Sequence, residues 1–167
     1  RLSTDGFSFS IYNPIHDNSL STIEKETDTS LSLTANLKAT FRESDFLNHS
    51  YKRVNIMMAD KRFTIVPLEL FEEEQAELLF YHNHQKRENE TVICNILKKN
   101  NVAIIFGMDK SAHTFLSEQN PEAHFYSQST PLIDYFSVKS RLGNSKKMYV
   151  SIHREAIDIY CFERGHL

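Results

Sequence analysis

Apolar and polar residues alternate over Phe7-Ser8-Phe9-Ser10-Ile11-Tyr12, directly after Asp5-Gly6, a dipeptide suited to the positive φ of a tight turn. The pattern predicts an opening hairpin with Phe7, Phe9 and Ile11 on a core face, ended by Asn13-Pro14. A third strand is expected around residues 22–25. From Ser30 the period changes, and the four-residue spacing of Leu33, Leu37 and Phe41 places them on one face of a helix running to about Arg42. Two strands follow at 53–59 and 62–67, the second closed by Pro67, which has no N–H to give to a ladder. Glu72-Glu73-Glu74 should open a helix carrying Ala76, Leu79 and Phe80, with its carboxylates at the positive end of the helix dipole.

Residues 91–97 and 102–107 read as a hairpin across Lys98-Lys99-Asn100-Asn101, and the unbroken apolar run Val102–Phe106 as a central strand buried on both faces. Asp109 can cap a helix bearing Ala112, Phe115 and Leu116, and residues 122–128 form a further strand. Thr130-Pro131 supplies a cap followed by proline at the first helical position. Leu132, Ile133, Phe136 and Leu142 then form the apolar face, and Gly143 is the stop. A second hairpin, 147–152 and 156–162, closes the pattern. It matches the first at Ser3/Ser151, Ile11/Ile159 and Tyr12/Tyr160, each pair flanking a polar turn. After Arg164-Gly165 a third strand has barely begun, so the sequence is expected to be truncated, part of a longer fold.

Composition narrows the classes without naming a chemistry. The chain has 167 residues, 40% hydrophobic and 25% charged, which suits an ordinary globular protein with a substantial core. A net charge of −3, with no Lys/Arg run longer than a pair, gives no electrostatic footprint for nucleic acid. No apolar run approaches the roughly 20 residues that span a bilayer, and a cytoplasmic location is expected. Cys94 and Cys161 lie in strand-like runs and are expected to act as small buried hydrophobes. His82 and His84 read as a surface pair, and neither a P-loop, a dinucleotide fingerprint nor a nucleophile elbow occurs.

The order of elements resembles the actin-like ATPase fold shared by actin, sugar kinases and heat-shock chaperones. That fold is a ribonuclease H-like α/β architecture with a mixed sheet flanked by helices. More closely, the run Arg1–Tyr12, the segment Arg62–Phe71 and the hairpin near Tyr149–Phe162 are similar to an uncharacterised bacterial family, a domain of unknown function assigned that fold. The layout is also similar to the actin-like component of type IV pilus assembly. The resemblance implies that residues 1–146 form the first lobe and residues 147–167 the opening hairpin of a second, together roughly the first half of the complete fold.

In active members of the fold each hairpin carries an Asp-x-Gly type pattern. The Asp helps hold hydrated Mg²⁺, while glycines and a hydroxyl residue let backbone N–H groups reach the phosphates. Here Ser3 and Ser151 stand where the aspartates are expected, and His153, Arg154 and Glu155 fill positions that should be small. Glu155 would repel a phosphate and Arg154 would pair with one. A shifted alignment puts Asp5 in the metal-holding role, followed by Gly6 and Ser8. The cofactor-binding set implied by the resemblance is therefore Asp5, Gly6, Ser8 and Arg154, with ATP and Mg²⁺ as the cofactors, no separate metal site and no assigned catalytic residue.

The reading these residues favour is a degenerate nucleotide site on a scaffold that binds a protein partner. One alternative is an active Mg-ATP-dependent ATPase or kinase whose catalytic carboxylate lies beyond Leu167. The other is a stand-alone α+β interaction module.

Overall fold

The computed structural model describes residues 1–3, 6–14, 19–152 and 157–167. In chain order the described elements are β1 (Leu2–Ser3), β2 (Gly6–Asn13), β3 (Ser19–Glu26), α1 (Leu33–Glu43), β4 (Asn55–Ala59), β5 (Phe63–Pro67), α2 (Ala76–Asn83) and β6 (Glu90–Leu97). They continue with β7 (Val102–Asp109), α3 (Lys110–Gln119), β8 (His124–Ser127), α4 (Ser129–Ser140), β9 (Lys147–Ile152) and β10 (Ile157–Phe162). The chain divides into two compact units, one of residues 1–60, 88–91 and 108–125, the other of residues 61–87, 92–107 and 126–167.

The first unit is organised on the sheet whose strand order is β3-β2-β1-β4-β8. Strand β1 pairs antiparallel with β2 through Leu2↔Phe7 and parallel with β4 through Leu2↔Met58 and Ser3↔Ala59. β2 and β3 pair antiparallel from Gly6↔Glu26 to Asn13↔Ser19, so the third strand is longer than residues 22–25. The alternation holds on β2, where Phe7 is buried and its ring meets Phe9 edge-on at 6.2 Å.

Helix α1 starts at Leu33 because Ser32 keeps an extended backbone and its hydroxyl accepts from Ala35 N–H at 3.2 Å. Its four-residue stripe buries Leu37 and Phe41, and Phe41 packs edge-on against Phe115 of α3 at 5.3 Å. Asp109 caps α3 as the sequence implies, accepting from Ala112 N–H at 2.7 Å, and Ala112 and Leu116 are buried.

His113 of α3 lies 4.4 Å from the Phe125 ring, and burial holds its pKa below the ordinary 6.5. Between the lowered value and the ordinary one, the unfolded chain binds more protons than the folded chain. Stability therefore rises with pH through that window and is lost on acidification. The substitution His113→Phe should flatten this part of the pH profile, read as urea midpoints between about pH 5 and 7.

The second unit holds a three-stranded sheet of order β5-β7-β6 and a two-stranded one, β10-β9. β5 pairs antiparallel with β7 from Phe63↔Phe106 to Pro67↔Val102 and ends at its proline. Val102–Met108 is buried throughout, as expected of a strand covered on both faces. One core cluster gathers Val66, Ala76, Phe80 and Ile105, and another Ile104, Ile133, Tyr160 and Phe162.

Four expectations need correction in this unit. Glu73–Gln75 form a 3-10 turn, and the α-helix begins only at Ala76. Helix α4 begins at Ser129 with Gln128 as its N-cap position, so Thr130 is not the cap: its hydroxyl is drawn away to Asn95 Oδ1 at 2.7 Å. Leu142 lies past the end of α4 and is exposed, while Gly143 follows with φ +99°. Cys161 alternates onto the outer face of β10 and is exposed, whereas Cys94 of β6 is half-buried. Burial, then the Glu73 carboxylate, pushes the Cys94 thiol up to about 11.

Candidate functional site at the hairpin turns

At the first hairpin the sequence points to Asp5, Gly6 and Ser8. Asp5 lies outside the described residues, and the other two are held in the sheet. Gly6 is the first residue of β2, opposite Glu26, and does not have positive φ. What requires a glycine there is crowding, because a Cβ would stand 2.9 Å from the Lys25 carbonyl oxygen of β3. We expect Gly6→Ala to cost about 1–3 kcal/mol through that backbone clash, measured by thermal or urea unfolding.

The Ser8 N–H donates to Arg1 O at 2.9 Å, and Ser8 O accepts from the Arg1 nitrogen at 2.6 Å. Ser3, standing where an aspartate is expected, is buried, and its hydroxyl donates to Gly6 O at 2.8 Å. The serine thus ties the end of β1 to the start of β2.

At the second hairpin His153, Arg154 and Glu155 lie outside the described residues. Among the described residues of this hairpin, Ser151 of β9 stands opposite Asp158 of β10. Asp158 was not singled out by its sequence context. Its Oδ2 accepts from Gln128 Nε2 at 3.2 Å, which holds the carboxylate against the position that opens α4. Next to it the Tyr160 hydroxyl donates to Ser129 Oγ at 3.0 Å, and burial first raises the phenol pKa.

A polar groove of about 700 Å³ in the first unit also escaped the sequence reading. Thr34, Lys38, Asn89, Lys110, Ser111 and Thr114 contribute to its lining. Asp109 organises it, with Oδ1 accepting from Thr34 Oγ1 at 3.1 Å and Oδ2 from Asn89 Nδ2 at 2.9 Å. Asn89 holds φ at +54°, and its carbonyl accepts from Lys110 N–H at 2.8 Å. These bonds explain the groove as a pinned loop, since Asp109 already serves as cap and as clamp.

Among the described residues no group of three His, Cys, Asp or Glu side chains is placed to hold a metal. His82 is exposed on α2. His84 has Nε2 at 3.2 Å from Phe63 O and its ring 4.7 Å from Phe80, so the two histidines do not act as a pair.

A mixed sheet of order β3-β2-β1-β4-β8, with its opening antiparallel hairpin and parallel β1-β4 pair, defines the class: this is an α/β protein of the actin-like ATPase fold. The chain is similar, at 78% identity and a TM-score of 0.92, to a Bacteroides thetaiotaomicron protein whose crystal structure is described as having an actin-like ATPase fold and unknown function. The match covers 99% of this chain and 64% of that one, so the chain spans just under two thirds of its relative's length. It belongs to the family described as protein of unknown function DUF3822, whose model matches residues 1–167. No curated protein matches the chain.

Proposed function

We propose that this protein is a partner-binding scaffold of the actin-like fold in which the nucleotide site is degenerate. The observation that carries the reading is the state of the first hairpin. A phosphate is held by backbone N–H groups that have no other acceptor and can be approached closely. The Ser8 N–H is already given to Arg1 O, and the Ser3 hydroxyl to Gly6 O. At the second hairpin Asp158 sets a carboxylate opposite Ser151, the wrong charge for an incoming phosphate.

Contact surface is available elsewhere. Tyr135 and Val138 on α4 and Leu142 just past it recur at helical spacing and are all more than half exposed. Two free cysteines suit a reducing compartment, and the reading places the protein in the cytoplasm. Among the described residues no helix is long and apolar enough to cross a membrane.

Thermal unfolding of the full natural polypeptide with and without Mg-ATP tests this reading. A ligand present at about 100 times its Kd stabilises the folded state by roughly 2.7 kcal/mol, a shift of several degrees. No shift at millimolar Mg-ATP is the expected result. A clear shift that Asp5→Ala removes would instead support the working ATPase, with Asp5 at its metal.

A further inference from the structure

The first unit's sheet ends at β3, and the pairing registers show which backbone groups of that strand face outward. Arg1 and Ser8 exchange both backbone hydrogen bonds, so Ser8 turns its N–H and C=O toward β1. Phe7, Phe9 and Ile11 therefore turn theirs toward β3, where they stand opposite Lys25, Ile23 and Ser21. The alternate residues of β3, Leu20, Thr22, Glu24 and Glu26, are left pointing their N–H and C=O groups away from the sheet.

Natural sheets blunt such an edge with proline, a bulge, a lysine or a covering segment. β3 contains no proline, pairs with β2 through all eight of its residues without a bulge, and is exposed at seven of them. Its single lysine, Lys25, is turned to Glu43 of α1, with Nζ 3.5 Å from Oε2. Leu20, Thr22, Glu24 and Glu26 share one face of the strand. Leu20 is 66% exposed beside Tyr12, itself 59% exposed. At the other end Glu24 and Glu26 face Ser8 and Gly6 across the ladder, so no cation answers them there.

We propose that β3 takes up an extended segment of a partner protein as an antiparallel sixth strand, with basic residues opposite Glu24 and Glu26 and an apolar residue opposite Leu20. Ladder hydrogen bonds supply the affinity, and the alternate side chains select the partner. A second copy of β3 answers this pattern poorly. In the register that sets Thr22 opposite itself, Leu20 falls opposite Glu24 of the second copy, and a shift of two residues sets it opposite Glu26 or shortens the ladder. The inference gives the scaffold's partner a chemistry and rests on the partner-binding reading; the state of the nucleotide site, which Mg-ATP tests, is independent of it.

The test is amide hydrogen exchange of the full natural polypeptide, read residue by residue by NMR, with and without a synthetic peptide. The peptide is Lys-Thr-Lys-Val-Thr-Thr-Leu-Thr, whose lysines align with Glu26 and Glu24 and whose leucine aligns with Leu20. At about ten times its Kd it should slow exchange at Leu20, Thr22 and Glu24 about tenfold, and leave Ser21 and Ile23, already bonded to β2, unchanged. Replacing both peptide lysines by glutamate should weaken binding at least about tenfold. Thr22→Pro removes an outward N–H that β2 does not use, and should abolish the protection while the far-ultraviolet spectrum stays native. No slowing at millimolar peptide, or equal binding of the glutamate peptide, would overturn the proposal. So would slow exchange at Leu20, Thr22 and Glu24 before any peptide is added, which would assign the edge to another segment of the same polypeptide or, where it fades on dilution, to a second copy.

Discussion

Phe80→Ala is expected to destabilise the protein by about 3–5 kcal/mol. Phe80 is fully buried among Val66, Ala76 and Ile105, with Tyr81 edge-on at 5.2 Å and His84 at 4.7 Å. Removing the ring deletes the transfer free energy of a large apolar group and leaves a cavity among close-packed side chains of β5, β7 and α2, which relax into it only in part. It also strips the cover from Arg62, itself 8% exposed, whose guanidinium carbon lies 5.2 Å above the Phe80 ring while Nη2 donates to Gln85 O at 2.7 Å. The measurement is urea unfolding, with the Cys94 labelling rate as a local reporter, since Cys94 packs on the same cluster. Phe80→Leu should recover more than half of the loss.

Asn95→Ala is expected to cost about 1–3 kcal/mol for each of the two donors it orphans. Asn95 Oδ1 accepts from Ser127 N–H at 3.0 Å and from Thr130 Oγ1 at 2.7 Å, so one amide of β6 fixes both the end of β8 and the first turn of α4. Ser127 and Thr130 are buried, and neither donor can turn to solvent without shifting the helix. The double substitution Asn95→Ala with Thr130→Val should be less destabilising than the sum of the two singles, because Thr130→Val removes one orphan that Asn95→Ala creates. Strict additivity in that cycle would mean that the 2.7 Å contact carries no coupling.

Where the sequence pattern was local, it was legible. The alternation in β2, the four-residue stripe of α1, the Asp109 cap and the apolar β7 each follow from residues within a few positions of one another. The errors arise where a distant residue outbids a local preference. Thr130 followed by Pro131 is a convincing cap signal, but Asn95, 35 positions away, takes the hydroxyl and the helix opens at Ser129 instead. Gly6 suggested positive φ, yet its lack of a side chain answers to Lys25 on the neighbouring strand. Cys161 was expected in a core because its run is apolar, whereas strand alternation puts it on the open face of the hairpin.

The candidate site was legible only in part. The pairing of β1 with β2 and of β9 with β10 followed from the sequence pattern, but not that Ser3 and Ser8 are held by their own hairpin, because hydrogen bonding is set by register. Asp158 and the Asn89–Asp109 clamp were missed for the same reason, since their partners lie 30 and 20 positions away.

The central claim is that an actin-like fold has kept its hairpins and lost their phosphate chemistry. Isothermal titration of the full natural polypeptide with Mg-ATP, followed by phosphate release on the same sample, tests it most directly. The account predicts no binding heat tighter than millimolar and no turnover above the buffer rate; micromolar binding with hydrolysis would contradict it.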